Sequence, residues 1–355
     1  MSPASGAERA ERDLVRLCHS GLDLPALRAG VLRSLRRLLP VDAAFFATAD
    51  PHTLLFTSAY AEEPLAAATA LFLDNEFGDD DVNKFTALAT ARTHVSSLDA
   101  ATRGDRFTSG RYRDIMRPAG LGDELRAALT VGPDCWGYLC LHRTDHPLGF
   151  TPAEAALLAR VGPHIAHGLR QSLLLDATPH PDRARPGVLL LAGDGSVVST
   201  TPEADALLEQ LDPAPRLPLP AVVYAVVAAL NAGRATPSAH VRGASGRWLA
   251  VHASRLGGPG TGHPADHPAG PTSGRVAVVV EPCAARATVP IRLAAHGLSA
   301  RESEVAGLVL RGASTRGIAA SLHISPHTVQ DHLKHVFDKL GVRSRRDLVG
   351  LLLGG

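Results

Sequence analysis

The chain has 355 residues, is 45% hydrophobic and 20% charged, and carries a formal net charge of +1. That length accommodates two or three domains, and the composition excludes both a disordered chain and a polycation. No apolar run reaches the ~18 residues of a membrane span. The start, MSPASGAERAERD, lacks the apolar core of a signal peptide, so a cytoplasmic protein with no membrane partner is expected.

In chain order, residues 11–39 place apolar side chains at helical spacing among many arginines, and AAFFATAD and TLLFTSAY then read as strands. RYRDIMRPAGLGDELRAAL reads as a helix broken by Pro118 and leads into the strands ALTVG and CWGYLCLHR. In the latter, Trp136, Tyr138 and Cys140 alternate with Leu139 and Leu141, so both faces are expected to be buried. A helix follows from Pro152 to about Leu175, and the mixture indicates an α+β domain. DATPHPDRARP (176–186) and PCAARATVP (282–290) are Pro-rich and read as linkers. Between them, GVLLLAGDGSVVSTTPEADALLEQL gives a strand, an Asp194-Gly195 turn, a strand and a helix, and RWLAVHASRL and RVAVVVEP close the region as strands. The 18-residue GGPGTGHPADHPAGPTSG (257–274) is expected to be a disordered insertion, its His263 and His267 solvated. The expected layout is therefore 11–175, a linker 176–186, 187–281, a linker 282–292, and 293–355.

Charge is uneven along this layout. From Ile291 onward there are nine Lys/Arg and five Asp/Glu, a net of +4, leaving −3 for the rest. The positive excess sits where a nucleic acid would be met. The same segment is punctuated as four helices. Ser299 and Glu302 form a capping box, and Arg311-Gly312 ends the first helix. Ser314 caps the second, although Gly317 stands where a capping-box carboxylate would help and costs ~1 kcal/mol relative to Ala. Ser325-Pro326 opens the third, and Ser344 with Asp347 opens the fourth. On the third helix Val329, Leu333, Val336, Phe337 and Leu340 form an apolar stripe, opposite His327, Gln330, Asp331, Lys334 and Asp338. Two helices joined by a few residues, the second with a polar face, suit a DNA major groove. Gln330, Asp331 and Lys334 are the base-facing candidates, able to meet adenine, cytosine N4 and guanine respectively. Ser325, His327 and Thr328 are placed at the helix start, where phosphate is held.

LSARESEVAGLVLRGASTRGIAASLHISPHTVQDHLKHVFDKLGVRSRRDLV resembles the LuxR/FixJ/NarL-type DNA-binding domain. The matching positions include Leu298, Arg301, Glu302, Glu304, Val305, Gly312, Ile318, Ala319, Leu322, Ser325, Thr328, Val329, His332, Leu333, Phe337, Lys339, Leu340, Ser344, Arg345 and Leu348. The resemblance implies a four-helix transcription regulator for double-stranded DNA, with its helix-turn-helix from about Thr315 to His335. His332, Lys339 and Arg345 join the phosphate and positioning set. Two copies are implied to pair through the last helix, represented by Arg345, Leu348, Val349 and Leu352, with RNA polymerase as a further partner. Gln330 and Asp331 depart from the family, which usually has Lys after Thr-Val; the loss of a cation predicts weaker, less salt-dependent binding and a different base preference.

The first region, through WGYLCLHRTDHPLGFTPAEAALLARVGPHIAHGL, resembles a GAF domain, and the second, through LLLAGDGSVVSTTPEADALL and RWLAVHASRL, loosely resembles a PAS domain. The fold class expected is multidomain: α+β GAF-like and PAS-like sensory domains, then an all-α helix-turn-helix domain. A small-molecule effector is left unidentified by either resemblance. The alternative is an interaction protein that recruits partners through these domains and binds DNA weakly.

No catalytic constellation is present. There is no G-x-x-x-x-G-K-[ST] and no G-x-S-x-G. Asp79, Asp80 and Asp81 read as a solvated loop. Cys18, Cys135, Cys140 and Cys283 form no C-x-x-C pair and are expected to be reduced thiols; Cys135 and Cys140, five apart, are expected on opposite faces of a strand. His164 and His167 read as surface histidines, and no metal or cofactor is expected.

Overall fold

The computed structural model describes residues 3–144, 149–175, 185–212, 216–256 and 274–353. The linker expected at 176–186 lies outside them except for its last two residues, and so does the insertion with His263 and His267, except for Gly274.

Two helices open the chain, α1 (Pro3–Cys18) and α2 (Leu24–Arg36), where a single amphipathic run was legible. They part at Gly21, whose φ of +68° suits glycine, and the Asp23 carboxylate caps α2 by accepting from the Ala26 amide. Next come β1 (Ala43–Ala49), β2 (Phe56–Ala61), α3 (Thr69–Phe77), α4 (Phe85–Thr90), β3 (Val95–Ser97) and α5 (Leu98–Ala101). A turn of π-helix at Tyr112–Met116 precedes the long hairpin of β4 (Leu121–Val131) and β5 (Asp134–Thr144), and α6 (Pro152–Ser172) ends the unit. The five strands form one antiparallel sheet in the order β2-β1-β5-β4-β3. One face packs under α1, α2 and α6 through Phe46, Leu125, Leu129, Leu139, Leu141, Leu158 and Ile165. The other faces α3 and α4.

Two sequence expectations fail here. LGDELRAAL is strand β4, although Glu, Leu, Arg and Ala favour helix. Tertiary structure overrides propensity because alternation places Leu125, Ala127 and Leu129 in the helix-covered core and turns Glu124 and Arg126 to the other face, where each has a charged partner. The alternation expected across β5 also breaks. Thr130 pairs with Cys135 but Leu129 pairs with Gly137, so Trp136 is bulged. Trp136 therefore joins Leu139 and Leu141, and Cys135 belongs to the same cluster as Tyr138 and Cys140. All four cysteines are free, three of them buried.

The second unit comprises β6 (Gly187–Leu191), β7 (Val197–Thr200), α7 (Pro202–Leu208), α8 (Ala221–Asn231), β8 (Ser238–Arg242), β9 (Trp248–Arg255) and β10 (Val276–Pro282). Its sheet, β7-β6-β10-β9-β8, repeats the strand order of the first. Val276, Val278 and Val280 alternate inward against α8, whose Val222, Val223, Val226 and Ala229 are buried. This core is continuous with the first unit through Phe56, Ala59 and Leu73.

The second linker is absent. Residues 282–292, expected to resist regular structure, end β10 and build most of α9 (Ala285–Ala295). Pro290 lies inside that helix and denies a hydrogen bond to the carbonyl four residues back. Burial offsets the loss. Ile291 and Ala295 lie in the core of the first unit, while Val289 and Leu293 lie in the core of the four helices that follow. Those are α10 (Ala300–Leu310), α11 (Thr315–Leu322), α12 (Pro326–Leu340) and α13 (Arg345–Leu353). No helix among the described residues is long and apolar enough to cross a membrane.

Candidate nucleic-acid interface and effector cavity

α10 begins with a complete capping box, in which Ser299 Oγ accepts from the Glu302 amide and Glu302 Oε2 accepts from the Ser299 amide at 2.7 Å. Glu302 also accepts from Lys339 Nζ at 2.6 Å, which ties α10 to the end of α12. Burial pushes the Glu302 carboxyl up, but Lys339 and the Ser299 amide hold it below its ordinary range. α11 starts at Ser314, whose Oγ accepts from the Gly317 amide, and ends at His323 in the left-handed region, φ 53°. That conformation reverses the chain in three residues before Ser325 caps α12 by accepting from the Thr328 amide at 3.0 Å. α12 buries Val329, Leu333, Val336 and Leu340. Its stripe packs on Val305, Ala306 and Val309 of α10 and on Ile318 and Ala319 of α11.

What remains outward is the polar face. Gln330, Asp331 and Lys334 are exposed. Gln330 Nε2 lies 3.5 Å from Thr315 Oγ1, and Asp331 lies 3.8 Å from His327, which is almost fully exposed. Thr328 and His332 are half-buried, and Ser325 is exposed with its hydroxyl 2.8 Å from that of Thr328.

Other expected contacts are spent within the domain. Lys339 is engaged by Glu302. Arg345 donates to Ala313 O at 2.7 Å and Thr315 Oγ1 at 3.0 Å, fixing the start of α13 against the start of α11. Both therefore help position helices within the domain. The expectation for the last helix also needs correction, because Leu348 and Leu352 are fully buried in their own domain. Only Val349, 37% exposed, remains an outward apolar side chain among the four residues assigned to pairing. Arg292 of α9 further donates to the carbonyls of Leu351 and Leu352. Sequence reasoning missed this clamp, because α9 was taken for linker; Arg301, singled out only as a family match, donates to Leu322 O at 2.6 Å and holds the end of α11.

The first unit contains a narrow, partly open pocket of about 30 Å³ between its sheet and α3/α4, lined by Phe45, Phe72, Phe85, Arg126, Cys140 and His142 among others. Around it lies a buried ionic network. Arg111 donates to Glu124 Oε1 at 2.8 Å and to Asn75 Oδ1 at 3.0 Å, and Arg126 donates to Glu76 Oε2 at 2.6 Å while stacking over Phe85. The Asp81 carboxylate, read as solvated, is instead only 2% exposed and accepts from the Arg111 amide, Ser109 Oγ and Asn75 Nδ2. Burial pushes the His142 imidazole down to about 4, so it is neutral. His164 and His167 are not isolated on the surface: His19 bonds His164 at 3.1 Å and stacks on His167.

A short helix, a tight reversal and a second helix with one polar face, braced by a third and a fourth, define a helix-turn-helix DNA-binding domain. Residues 296–352 match the family described as bacterial regulatory proteins, luxR family, and residues 23–169 match the GAF domain. Over 56 residues the chain is 41% identical to the spore germination protein GerE of Bacillus subtilis, which amounts to 16% of this chain and 76% of that protein. It is 46% identical over 56 residues to a putative HTH-type transcriptional regulator of Aeromonas salmonicida, covering 16% of this chain but only 29% of the relative. The chain belongs to the luxR family of bacterial regulatory proteins by its C-terminal helix-turn-helix domain, its N-terminal unit matches the GAF domain, and it spans less than a third of the length of the first curated relatives it matches. Among solved structures it is similar to Escherichia coli SdiA, at 12% identity over 97% of this chain and 96% of that one, with a TM-score of 0.36.

Proposed function

We propose that α12 enters the major groove of duplex DNA, with Gln330, Asp331 and Lys334 reading base edges and Ser325, His327, Thr328 and the helix N-terminus holding phosphate. His332 stands at the margin of this surface. The observation that carries the reading is the division of α12 into a buried apolar stripe and an exposed polar face directly after a three-residue reversal. Two copies act together on a two-fold symmetric site, and pairing through α13 falls to its outer side around Val349. No step of catalysis belongs to this role. The cavity in the GAF domain takes an effector, and the central unit, PAS-like in our reading, is a second sensory module; its repeat of the first sheet's strand order supports this. α9 is the mechanical link, because each of its flanks lies in a different core. An effector acts by binding one arrangement of these parts better than another. RNA polymerase is the downstream partner that such an arrangement would present.

Selection of bound sequences from random duplex DNA by the intact protein tests the DNA reading. One symmetric site is expected. Gln330→Ala should relax selection at one position by about 1–3 kcal/mol. Gln330→Lys should change the selected sequence and steepen the salt dependence by about 0.9 in log–log slope for each added phosphate contact. No enriched site, with binding that vanishes in salt, would overturn the reading in favour of partner recruitment.

A further inference from the structure

We propose that Glu124, Cys140 and His142 form a binding site for a thiophilic divalent metal ion of the zinc class in the wall of the GAF-domain cavity. The site follows from strand register. On the β4/β5 hairpin Glu124 pairs with His142 and Arg126 with Cys140, so the three donors stand together on the cavity side of the sheet. All three are buried. Cys140 Sγ lies 3.0 Å from His142 Nε2 and 3.4 Å from Glu124 Oε2, and the last two atoms are 4.0 Å apart. Zinc bonds to N, O and S ligands are about 2.0–2.3 Å long, which makes the edges of a coordination tetrahedron about 3.3–3.8 Å. The three separations straddle that range, so small side-chain adjustments would place one ion equidistant from three ligands. The fourth position then belongs to the cavity, which Cys140 and His142 both line.

The donors are also short of other partners. His142 Nδ1 is buried with no hydrogen bond, and Cys140 is the hydrogen-bonding neighbour of His142 Nε2. Glu124 Oε1 is held by Arg111, whereas Arg126 Nε, 3.2 Å from Oε2, makes no hydrogen bond there. A buried imidazole bonded only to a thiol is under-satisfied and calls for a stronger partner. Metal binding supplies one: the Cys140 thiol proton leaves to solvent as the sulfur–metal bond forms, and thiolate with carboxylate neutralise a divalent charge. Arg111 and Arg126 disfavour a further cation, but both remain paired with Asp81 and Glu76. Their presence argues against a hard ion that would bring no thiolate with it. A chemical signal would enter at the open coordination position, a point that rests on the effector reading; the metal site itself does not.

The test is to load the intact protein with Zn²⁺ or Co²⁺ and dialyse it. One retained equivalent is expected, with a thiolate-to-cobalt charge-transfer band. Cys140→Ser should abolish that band, while Cys135→Ser, a buried cysteine on the same strand, should leave it. If Cys140→Ser fails to fold, X-ray absorption on the zinc-loaded natural sequence decides. One sulfur with nitrogen and oxygen neighbours supports the site; a shell without sulfur, a band surviving Cys140→Ser, or no retained metal overturns it.

Discussion

The two sheets share one strand order and are built from opposite materials. Both faces of the first are covered, and its cavity side buries Arg111, Glu124, Arg126 and His142. The second buries one face of its central strand β10, and among its described residues from Gly187 to Pro282 no polar or charged side chain is buried. Topology alone therefore does not dictate the interior. A sheet roofed by a largely apolar helix such as α8 is stabilised by non-directional burial, whereas the GAF sheet accepts the desolvation of charges and recovers it through ion pairs and hydrogen bonds among them. Such a network is costly to build for stability alone and is suited to presenting polar atoms to a ligand.

The largest test of this contrast is Arg111→Met. Arg111 is fully buried and reaches Glu124, Asn75 and the Val82 carbonyl. Removing it strands the Glu124 and Asp81 carboxylates, and a loss of about 3–5 kcal/mol is expected in urea unfolding with chelator present. The double variant Arg111→Met/Glu124→Leu should recover a substantial part. A single-variant loss below 1 kcal/mol would show that the network is not what holds this face.

This network is also where sequence reading stopped. The helix-turn-helix was legible because its signals are local: Ser299 with Glu302, Gly312, Ser325-Pro326 and a stripe of period 3.6 each act within one turn. The polar face of α12 was legible for the same reason. Asp81, Arg111 and Glu124 meet only through the fold, so Asp81 read as part of a solvated loop and the other two as parts of a broken helix. Cys140 and His142 share a strand face with Glu124 only once register is known. α9 misled for a different reason. Pro290 is a local signal against helix, and what outweighs it is burial of Val289, Ile291, Leu293 and Ala295 in two separate cores.

A smaller effect is expected in the second sheet. Val278 is fully buried on the central strand β10. Val278→Ala should cost about 1.5–3 kcal/mol through lost burial and the cavity left behind. Val278→Thr, which keeps the shape, should cost about 1–3 kcal/mol for a hydroxyl with no partner. Urea midpoints of the two variants check both. If the threonine variant were neutral, the second sheet would have a latent polar interior after all, and the contrast would be one of composition only.

The smallest effect lies where the two sheets meet. The buried Asp50 carboxylate, at the end of β1, accepts from the His240 amide at 2.8 Å and from His240 Nδ1 at 3.0 Å, and its other oxygen accepts from the His52 amide. The hydrogen bond to Asp50 raises His240 above its ordinary 6.5, and although burial pushes Asp50 up, the His240 and His52 donors hold it below 3.8. The signs are opposite. The stabilisation from His240 is complete below pH 6.5 and is lost as pH rises through the elevated folded value. That from Asp50 is complete above its ordinary value and is lost as pH falls through the lowered one. The junction is therefore tightest in mildly acidic solution and weakens toward pH 8. His240→Gln should remove the alkaline part of that dependence, by at most about 1 kcal/mol because the imidazole is partly exposed. Urea midpoints of both proteins from pH 5 to pH 8.5 measure it. Parallel curves would mean that the Asp50–His240 contact carries no weight, and that the sheets are held by the apolar cluster around α8 and by contacts such as Arg216 with Glu63 and Arg242 with the Leu173 carbonyl.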